Sequence, residues 1–537
     1  MGMSPHSTTT RSLAAAASAL LVAAVYVLRL NRAAGLVVDD AWYVLLGQSL
    51  ADGGPFALIS SAAAPILPSV PPVFPAILAT VFAIVPTFPD NVWLLKSVSI
   101  AAMLGVGGCT FLYARRERCL PRFLAGCVAI AVTLTPAFVF LATSTVMAEC
   151  VFTVLQLASV LVVERAAADP DEPRARRSAA LAGALAAMTW LIRSAGIVLI
   201  AAALLRLVRA RRWPVVAMFV FILADCAVPW LIYSQLHQPT AADRDRNGGS
   251  IAVSYGDAIR LRVAGAASSG RMSPGELPLR AARNALNIFG RDIGGIIAPV
   301  LYRPAIESGE EVFSLGALGF LAGSMGNARL TIALSLLLSA VVIAGYVACA
   351  TDRLTIVELL VPLTILMVLV YPYWTFRFIL PLAPFIFIYL LSGWRVLTGR
   401  VSRVDVWRPA RVVVLSIVAL QLIDHVAYIR VYRDEQLAQQ IDWVAESRDL
   451  DQAFAWMQAN LADTGSIAST NPALVYLRTG RKGVTFDGST LKLDEWKVLG
   501  IRYVASFRSS EIPPALKPRR VVYRDVGRRW WIVDLGY

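Results

Sequence analysis

Two adjacent carboxylates, Asp39 and Asp40, open an apolar segment near the start of the chain. Within that segment Trp42, Leu45 and Leu46 recur at helical spacing, which predicts an amphipathic helix with both acids at its amino-terminal end. A carboxylate within hydrogen-bond reach of a hydroxyl group can remove its proton, so the pair is a candidate general base. The same spacing fits a capping acid with a solvated neighbour, and spacing alone favours that simpler interpretation.

Two arginines are candidates for binding a phosphate group. Arg377 follows the aromatic run 371–374 at the predicted outer boundary of a membrane span, and Arg193 lies at a turn between two short spans. A planar guanidinium can bond two phosphate oxygens at once. Each arginine is also a candidate for an interfacial anchor whose charged head reaches water.

Further charges stand in or beside apolar blocks, where ionisable groups are functional candidates by default. Glu149 follows the polar run 143–145 and has three open roles: binding an acceptor, ligating a metal ion, or pairing with an arginine. Asp225 and Glu358 lie inside predicted spans and are more typical of interhelical hydrogen bonding than of transport. Lys96 is predicted to extend its ammonium group to the outer membrane boundary.

The composition is that of a polytopic membrane protein. Of the 537 residues 57% are hydrophobic and only 16% are charged, against about 25% charged in an average soluble chain. The apolar residues form blocks of about 18–25, the length at which a helix crosses a ~30 Å hydrocarbon core. This pattern excludes a disordered chain. The net charge of +14 comes from arginines between the blocks, which the positive-inside rule explains more simply than nucleic-acid binding.

Eleven apolar blocks predict about eleven transmembrane helices, with the amino terminus inside and the carboxyl terminus outside. The blocks lie near residues 13–30, 91–113, 123–141, 150–164, 179–192, 194–208, 214–236, 330–350, 354–371, 378–395 and 410–427. A further block at 70–88 is broken by prolines, which remove helical donors, and is predicted to be a re-entrant or surface segment. Arginine clusters between alternate blocks set the orientation.

The chain divides into a predicted membrane domain, residues 1–430, and an outer domain, residues 445–537. The membrane domain would carry two long outer loops, 31–90 and 237–329. The outer domain alternates helical and β-rich segments, which is typical of a small α/β fold. Its predicted elements are a helix at 451–460, a short helix opened by Asn471 and Pro472, and strands near 466–469, 483–486, 502–506, 521–523 and 531–533.

Several other kinds of site lack support. The six cysteines form no C-x-x-C pair and the three histidines are scattered, so neither a disulfide framework nor a histidine-based metal site is indicated. No Walker A loop occurs, and no glycine-rich dinucleotide fingerprint opens a helix after a strand. Two alternatives to an enzyme remain. One is a transporter or flippase of lipid-linked sugars that uses Asp225 and Glu358, and the other is a non-catalytic scaffold that presents the outer domain to a partner.

Five short motifs, found in the family's order across nearly the whole chain, resemble those of the GT-C glycosyltransferases. The most similar members are bacterial glycosyltransferase family 39, the protein O-mannosyltransferases and the lipid A aminoarabinose transferase-like proteins. The matching residues are Asp39-Asp40 with Gly53-Gly54 and Pro71–Pro75, Pro136 through Ser144 to Glu149, Thr189–Arg193, Tyr373–Pro381, and Asn471–Lys482.

This resemblance implies a GT-C-like helical bundle and a hexosyl- or pentosyltransferase of the cell envelope. The donor would be a polyprenyl-phosphate-linked sugar, and the acceptor a hydroxyl of an envelope glycan, lipid or protein outside the cytoplasm. Asp39 matches the family's first acid, which acts as general base. Asp40 stands where the family more often has glutamate, so which aspartate carries the proton stays open. The leaving phosphate needs cations, a role for Arg377 and Arg193, and a divalent cation is also left open because family members differ.

The 237–329 segment is predicted to shape the acceptor side of the site. It carries several arginines, among them Arg280 and Arg283, with Tyr255 and Phe289 interleaved. A donor that enters laterally from the lipid would leave this loop to the acceptor. A solvated loop that anchors to anionic head groups explains the same charges equally well.

Overall fold

The computed structural model shows a mostly helical protein with a small mixed sheet near its carboxyl end. The structure describes residues 5–35, 39–61, 66, 70–238, 259–262, 270–302, 328–372, 375–399, 407–433, 442–461, 465–486, 491–507, 511–525 and 530–536. Three aromatic residues of the sequence predictions, Tyr255, Tyr373 and Trp374, lie outside the described residues.

The regular elements between residues 5 and 433 are helices joined by loops. They are α1 (Pro5–Arg29), α2 (Asp39–Ala51), α3 (Val73–Ile84), α4 (Val92–Arg116), α5 (Arg122–Thr133), α6 (Pro136–Thr143), α7 (Glu149–Ala168), α8 (Glu172–Ile192), α9 (Ile197–Arg209), α10 (Trp213–Leu236), α11 (Leu277–Asn287), α12 (Ile293–Ile297), α13 (Ala328–Asp352), α14 (Ile356–Val370), α15 (Thr375–Ile379), α16 (Ala383–Gly399) and α17 (Trp407–Arg433). A π-helical turn, Ile288–Asp292, joins α11 to α12.

Six helical stretches among the described residues are long and apolar enough to cross a membrane: α4, α7, α10, α13, α15 with α16, and α17. The bent pair α5 and α6 would make a seventh. Every one of the eleven predicted apolar blocks is helical in the structure, whereas eleven crossings stay a prediction. The proline-rich block contains α3, whose 12 residues span about 18 Å, too short for a ~30 Å core.

The α5–α6 bend is filled by polar side chains from α1 and α17. The two helices meet at 51°, where Pro136 cannot continue the helical ladder. His425 Nε2 lies 2.8 Å from Leu134 O, and Arg29 Nη1 lies 3.1 Å from His425 Nδ1. Because a carbonyl can only accept, the Nε2 nitrogen carries the proton and Nδ1 accepts from Arg29.

Two facing glycines let α13 and α16 approach to backbone contact. A Cβ atom on Gly345 would meet Tyr389 O at 1.8 Å, and one on Gly393 would meet Val341 O at 1.9 Å. Small residues of this kind allow close helix packing in membranes, where hydrophobic burial between helices contributes little. Any larger side chain at either position would separate the two helices.

The carboxyl-terminal sheet has five strands in the order β2-β1-β3-β5-β4. Strand β1 pairs in parallel with β2 and β3, and β5 runs antiparallel between β3 and β4. The elements are α18 (Asp442–Asn460), β1 (Ser466–Ser469), α19 (Pro472–Thr479), β2 (Gly483–Thr485), α20 (Leu493–Val498), β3 (Ile501–Ser506), β4 (Arg520–Asp525) and β5 (Trp530–Asp534). All five predicted strands and the helix opened by Asn471 are confirmed, and α18 begins nine residues before the predicted start at Asp451.

The sheet region packs against α2 and against the chain on either side of it. Asn471 Nδ2 donates to Gly35 O at 3.2 Å, and Gly483 N donates to Ser60 O at 2.8 Å. Gly35 has a φ of 85°, a backbone conformation that favours glycine, and a Cβ atom there would also displace the tip of the Leu474 side chain, 2.7 Å away. Helix α2 also contacts α3, which buries more of its surface than the predicted apolar face alone.

Candidate active site

The two acids at the start of α2 occupy different environments. Asp40 is buried, and its carboxylate oxygens accept hydrogen bonds from the backbone N–H groups of Gly35 (2.8 Å) and Ala41 (3.0 Å). Asp39 keeps 40% of its side chain exposed. Asp40 therefore fixes the conformation of the loop, whereas Asp39 is the accessible acid of the pair.

Arg377, at the middle of the short helix α15, joins Asp39 to Glu149. Its Nε donates to Glu149 Oε1 at 2.7 Å, and both of its terminal nitrogens lie 3.2 Å from Asp39 Oδ2. The three residues are separated by hundreds of positions in the sequence, and they meet because α2, α7 and α15 all begin or lie at the same end of the bundle. The guanidinium thus bridges an accessible acid and a buried one.

Glu149, the first residue of α7, is fully buried between two arginines. Its Oε1 contacts Arg377 and also Arg193 Nη1. Among the described residues its second oxygen, Oε2, accepts no hydrogen bond. Of the three roles left open by the sequence, arginine pairing is the one that this geometry displays.

Arg193 is held at a tight turn between α8 and α9. It ends α8 in an extended conformation, with φ −148° and ψ 132°, and its guanidinium carbon lies 5.3 Å from the centre of the Phe378 ring. A Cβ atom on Gly196 would lie 2.6 Å from Trp190 Cα, so the turn leaves no room for a larger residue. The predicted turn between two helices is confirmed.

A narrow cleft runs from the two arginines into the bundle. Arg193 and Arg377 lie on its wall, and the other lining residues, mostly apolar, are Phe152, Gln156, Ala195, Val198, Leu360, Thr364, Met367, Phe378, Pro381 and Leu382. Its enclosed volume is about 10 Å³, close to the space of one water molecule, so a larger group requires its walls to move apart. An apolar cleft with two guanidinium groups has the chemistry to hold an anionic head group attached to a hydrocarbon chain.

Lys96 was predicted to reach the outer boundary, and that prediction is wrong. Its ammonium group is fully buried and donates to Asn31 O (2.6 Å), Asn31 Oδ1 (3.1 Å) and Thr143 O (2.8 Å). These acceptors can satisfy all three donors of an ammonium group. Because Asn31 precedes Asp39 and Thr143 precedes Glu149 in the chain, Lys96 ties together the two segments that carry the acids.

The sequence analysis missed another buried acid, Asp292. Thr375 Oγ1 donates to Asp292 Oδ2 at 2.5 Å, and Arg291 Nε donates to Asp292 Oδ1 at 2.8 Å. Burial raises the pKa of the Asp292 carboxyl, against the lowering effect of Arg291. Asp292 lies on the π-helical turn, a feature that often marks functional sites, and it anchors the start of the helix that carries Arg377. The apolar residues around it on both sides are the only sequence signal that pointed to burial.

The predicted acceptor arginines, Arg280 and Arg283, lie on α11 in different settings. Arg280 donates to Ile259 O at 2.9 Å and also bonds the carbonyl of Leu261, so it supports the chain before α11. Arg283 is exposed and has no side-chain bond to another described residue. Neither arginine contacts the Asp39–Arg377–Glu149–Arg193 group.

The two acids of the transporter alternative, Glu358 and Asp225, occupy different environments. Glu358 is buried at the start of α14, where it accepts from Thr355 N (2.9 Å) and Tyr389 Oη (2.7 Å) and pairs with Arg118. Asp225 is exposed near the middle of α10. Among the described residues no cluster of three or more His, Cys, Asp or Glu side chains has the arrangement of a metal site.

Two solved structures have a fold similar to that of this chain. ArnT from Cupriavidus metallidurans, solved with undecaprenyl phosphate, is similar over 97% of both chains, with a TM-score of 0.50 at 14% identity. An archaeal oligosaccharyltransferase, AglB from Archaeoglobus fulgidus, solved with an inhibitory peptide and a dolichol-phosphate, matches 91% of this chain and 69% of its own, with a TM-score of 0.51 at 12% identity. The chain has the GT-C glycosyltransferase fold.

The GT-C fold rests on structure alone, since no protein-family model matches the sequence and no curated protein is similar to it. In this fold the group formed by Asp39, Arg377, Glu149 and Arg193 stands at one end of the bundle, beside the mouth of the cleft. We refer to these four residues as the outer cluster, after the side of the membrane that the sequence predicts for them.

Proposed function

We propose that the protein transfers a glycosyl group from a polyprenyl-phosphate-linked sugar to an acceptor hydroxyl on the outer face of the membrane. The observation that carries the proposal is the outer cluster itself. An exposed carboxylate, Asp39, is bonded to the same guanidinium that lines an apolar cleft with Arg193. A base for the acceptor and cations for a lipid phosphate therefore lie side by side.

In this reaction Asp39 acts as the general base. Its carboxylate takes the proton of the acceptor hydroxyl while the hydroxyl oxygen attacks the anomeric carbon of the sugar. The bond between that carbon and the phosphate oxygen breaks, and the polyprenyl phosphate leaves with the electron pair. Asp40 is the less suitable base because both of its oxygens already accept backbone hydrogen bonds.

Arg377 and Arg193 bind the phosphate and stabilise the charge that it gains as it leaves. Arg377 offers its terminal nitrogens to Asp39 at 3.2 Å, a long contact for a charge-assisted bond. A phosphate that enters the cleft competes for those nitrogens, which frees the Asp39 carboxylate for the acceptor. Glu149 keeps Arg377 in place through Nε during this exchange.

The solved structures support the proposed donor class. ArnT was solved with undecaprenyl phosphate and AglB with a dolichol-phosphate, and both ligands are long isoprenoid phosphates. The cleft, with apolar walls and arginines at its mouth, has matching chemistry. The phosphate and the isoprenoid chain do not distinguish one sugar from another. Selectivity for a hexose or a pentose would therefore come from contacts with the sugar itself. We assign the acceptor, an envelope glycan, lipid or protein, to the side formed by the 237–329 segment.

The proposal is tested with purified protein in lipid nanodiscs, a polyprenyl-phosphate donor labelled in its sugar, and an envelope fraction as acceptor. We expect the label to move from lipid to acceptor with release of an equal amount of polyprenyl phosphate. Movement of intact donor across a vesicle membrane without cleavage would favour the transporter instead. No change in either assay would favour the scaffold and contradict the proposal.

The proposed orientation has its own test. Membrane-impermeant thiol labelling of Ser466→Cys, on β1, and Ser178→Cys, on α8, should give opposite sidedness in intact cells. The native cysteines are removed first. Equal labelling of both positions would contradict an outer location for the sheet region and for α2, on which it packs.

A further inference from the structure

The chain that leads into α2 is held by two elements from distant parts of the sequence. Lys96, on α4, donates to Asn31 O at 2.6 Å and to Asn31 Oδ1 at 3.1 Å. Asn471, at the start of α19 in the sheet region, donates through Nδ2 to Gly35 O at 3.2 Å. One helix of the bundle and one helix of the sheet region therefore fix the chain before Asp39.

Gly35 carries the contact with α19 directly to the acids of α2. While its carbonyl accepts from Asn471, its N–H donates to Asp40 Oδ2 at 2.8 Å. Asp40 is fully buried, and its Oδ1 accepts from Ala41 N at 3.0 Å. A continuous series of hydrogen bonds thus runs from the sheet region to the residue next to Asp39. Because Asp40 is bonded on both oxygens, a shift of the Gly35 peptide moves the start of α2 with it.

The side chain of Asn471 makes two hydrogen bonds, and only one of them lies within α19. Its Oδ1 accepts from Leu474 N at 3.1 Å and caps the helix. Asp and Ser cap helices as well as Asn does, so the cap does not explain an amide at this position. The amide donor, which Asp lacks and the shorter Ser does not extend to Gly35, serves the chain before α2. The bond to Gly35 is therefore the part of the contact that is specific to asparagine.

Beyond α2 the sheet region holds the chain a second time. Gly483 N, at the start of β2, donates to Ser60 O at 2.8 Å. A Cβ atom on Gly483 would lie 2.0 Å from Ile467 O, so a larger residue would displace β2 from β1. Helix α19 also packs on α2 itself. The helix that begins with Asp39 is thus flanked on both sides by hydrogen bonds to the sheet region.

We propose that Asn471 is a positioning residue, which sets the carboxylate of Asp39 against Arg377 for the transfer reaction. The inference rests on the proposed function, in which Asp39 is the general base. Asp39 bonds Arg377 through one oxygen, at 3.2 Å, and its side chain is partly exposed. The place of its carboxylate therefore depends on the backbone that carries it. A shift of about 1 Å at a reacting group can lower a rate by about 10²-fold, so a bond from the sheet region has a direct effect on turnover.

The first test removes the amide donor and keeps the helix cap, in Asn471→Ser and Asn471→Asp. Sugar transfer by the full chain in lipid nanodiscs is measured against donor concentration. We expect kcat to fall roughly tenfold in both variants, as for a misplaced reacting group. The KM for the donor should not change, since the donor phosphate is assigned to Arg377 and Arg193.

Gln458→Ala is the matched control. Gln458 Nε2 donates to Arg478 O at 2.6 Å, an amide-to-carbonyl bond from α18 to α19 that does not involve the chain before α2. Its loss should lower the thermal unfolding midpoint as far as Asn471→Ser does, since one hydrogen bond is lost in each variant. Its kcat and KM should remain those of the wild type. An equal fall of kcat in both variants would make Asn471 a structural residue and overturn the inference.

A double variant shows whether Asn471 acts through Asp39. In the Asp39→Asn background the proposed base is already lost, so the addition of Asn471→Ser should leave the residual transfer rate unchanged. Residues that act independently give additive losses, and the rate would then fall roughly tenfold again. Additive losses would therefore contradict the positioning role.

Hydrogen exchange gives a readout that does not depend on catalysis. The amides of Gly35 and Ala41, which donate to Asp40, should exchange roughly tenfold faster in Asn471→Ser and at the wild-type rate in Gln458→Ala. Unchanged exchange would overturn the inference, and so would wild-type kcat in both Asn471 variants while Asp39→Asn is severely impaired. Wild-type turnover in Asp39→Asn would contradict the proposed function itself, and the positioning role would fall with it.

Discussion

Among the described residues two groups of paired charges lie at opposite ends of α7, and they differ in how far their most buried acids are satisfied. The outer cluster stands where α2, α7 and α15 begin. The second group, which we call the inner cluster, consists of Arg118, Glu164, Arg206, Arg353 and Glu358. It lies at the opposite end of α7, near Ala168. Both clusters join segments far apart in the chain, so the presence of ion pairs alone does not distinguish them.

The acids of the inner cluster are fully used. Glu164 accepts from Arg206 through both oxygens, at 2.9 and 3.0 Å, and from Ile356 N at 2.6 Å. Glu358 accepts from Thr355 and Tyr389 and pairs with Arg118. These bonds fix the helix ends. Glu117, which pairs with Arg353 at 3.2 Å, is the exception at this end, because its Oε2 has no hydrogen-bond partner among the described residues.

In the outer cluster the carboxylate oxygens accept fewer hydrogen bonds than they could. Glu149 Oε2 is unpartnered among the described residues, and Asp39 uses one oxygen in long contacts. Both arginines also line a cleft. Buried polar groups without partners call for a ligand or a catalytic role as their explanation. A fully buried acid with a spare oxygen, bonded through one arginine to an accessible acid, therefore favours the outer cluster as the candidate site.

The largest effect should come from removing the base of the outer cluster. Asp39→Asn keeps the shape of the side chain and loses the proton acceptor, so turnover should fall by about 10²–10⁴-fold. The measurement is the rate of sugar transfer at saturating donor. Asp52→Asn, an exposed acid just after the end of α2, is the matched control and should keep wild-type turnover. If Asp39→Asn lowered turnover only slightly and Asp40→Asn abolished most of it, Asp40 would be the base.

The next largest effect should come from Arg377. Alanine removes the phosphate cation, and turnover should fall by about 10²–10³-fold, as when one donor to a developing anion is lost. Lysine keeps the charge without the bidentate fork, so Arg377→Lys should be impaired to a smaller extent. Transfer rate is measured against donor concentration for both variants. Near-normal turnover with reduced folding yield in Arg377→Ala would make the residue a structural anchor.

Matched glutamate variants test the comparison of the clusters directly. Glu164→Gln breaks a satisfied buried pair and should destabilise the fold by about 3 kcal/mol, with near-normal turnover in the folded fraction. Glu149→Gln leaves two arginines misplaced at the cleft and should lower turnover by about 10²-fold, with a smaller loss of stability. Thermal unfolding midpoint and turnover are measured on both proteins. The distinction fails if the two variants lose stability and activity in the same proportion.

The sequence indicated all four residues of the outer cluster, and the structure brings those four together. Their pairing could not be predicted, because it depends on how α2, α7 and α15 pack and no local pattern encodes that. Lys96 shows the same limit. Its place in an apolar helix fits a snorkelling residue, and only the packed structure supplies the carbonyls of Asn31 and Thr143 as partners. Strand positions were easier to predict, since they depend on local alternation and turns.

The smallest effect should come from the predicted acceptor side, where the structure gives Arg283 and Arg280 different roles. Arg283 is exposed, and an exposed charge contributes about 0.2–1 kcal/mol, so Arg283→Gln should raise the apparent KM for the acceptor about twofold to fivefold. The KM for the donor should not change, since the donor phosphate is assigned to the cleft. Arg280→Gln is the informative contrast. Its guanidinium bonds backbone carbonyls before α11, and its loss should lower stability as well. Equal effects of Arg283→Gln on both substrates would mean that the 237–329 segment does not form a separate acceptor surface.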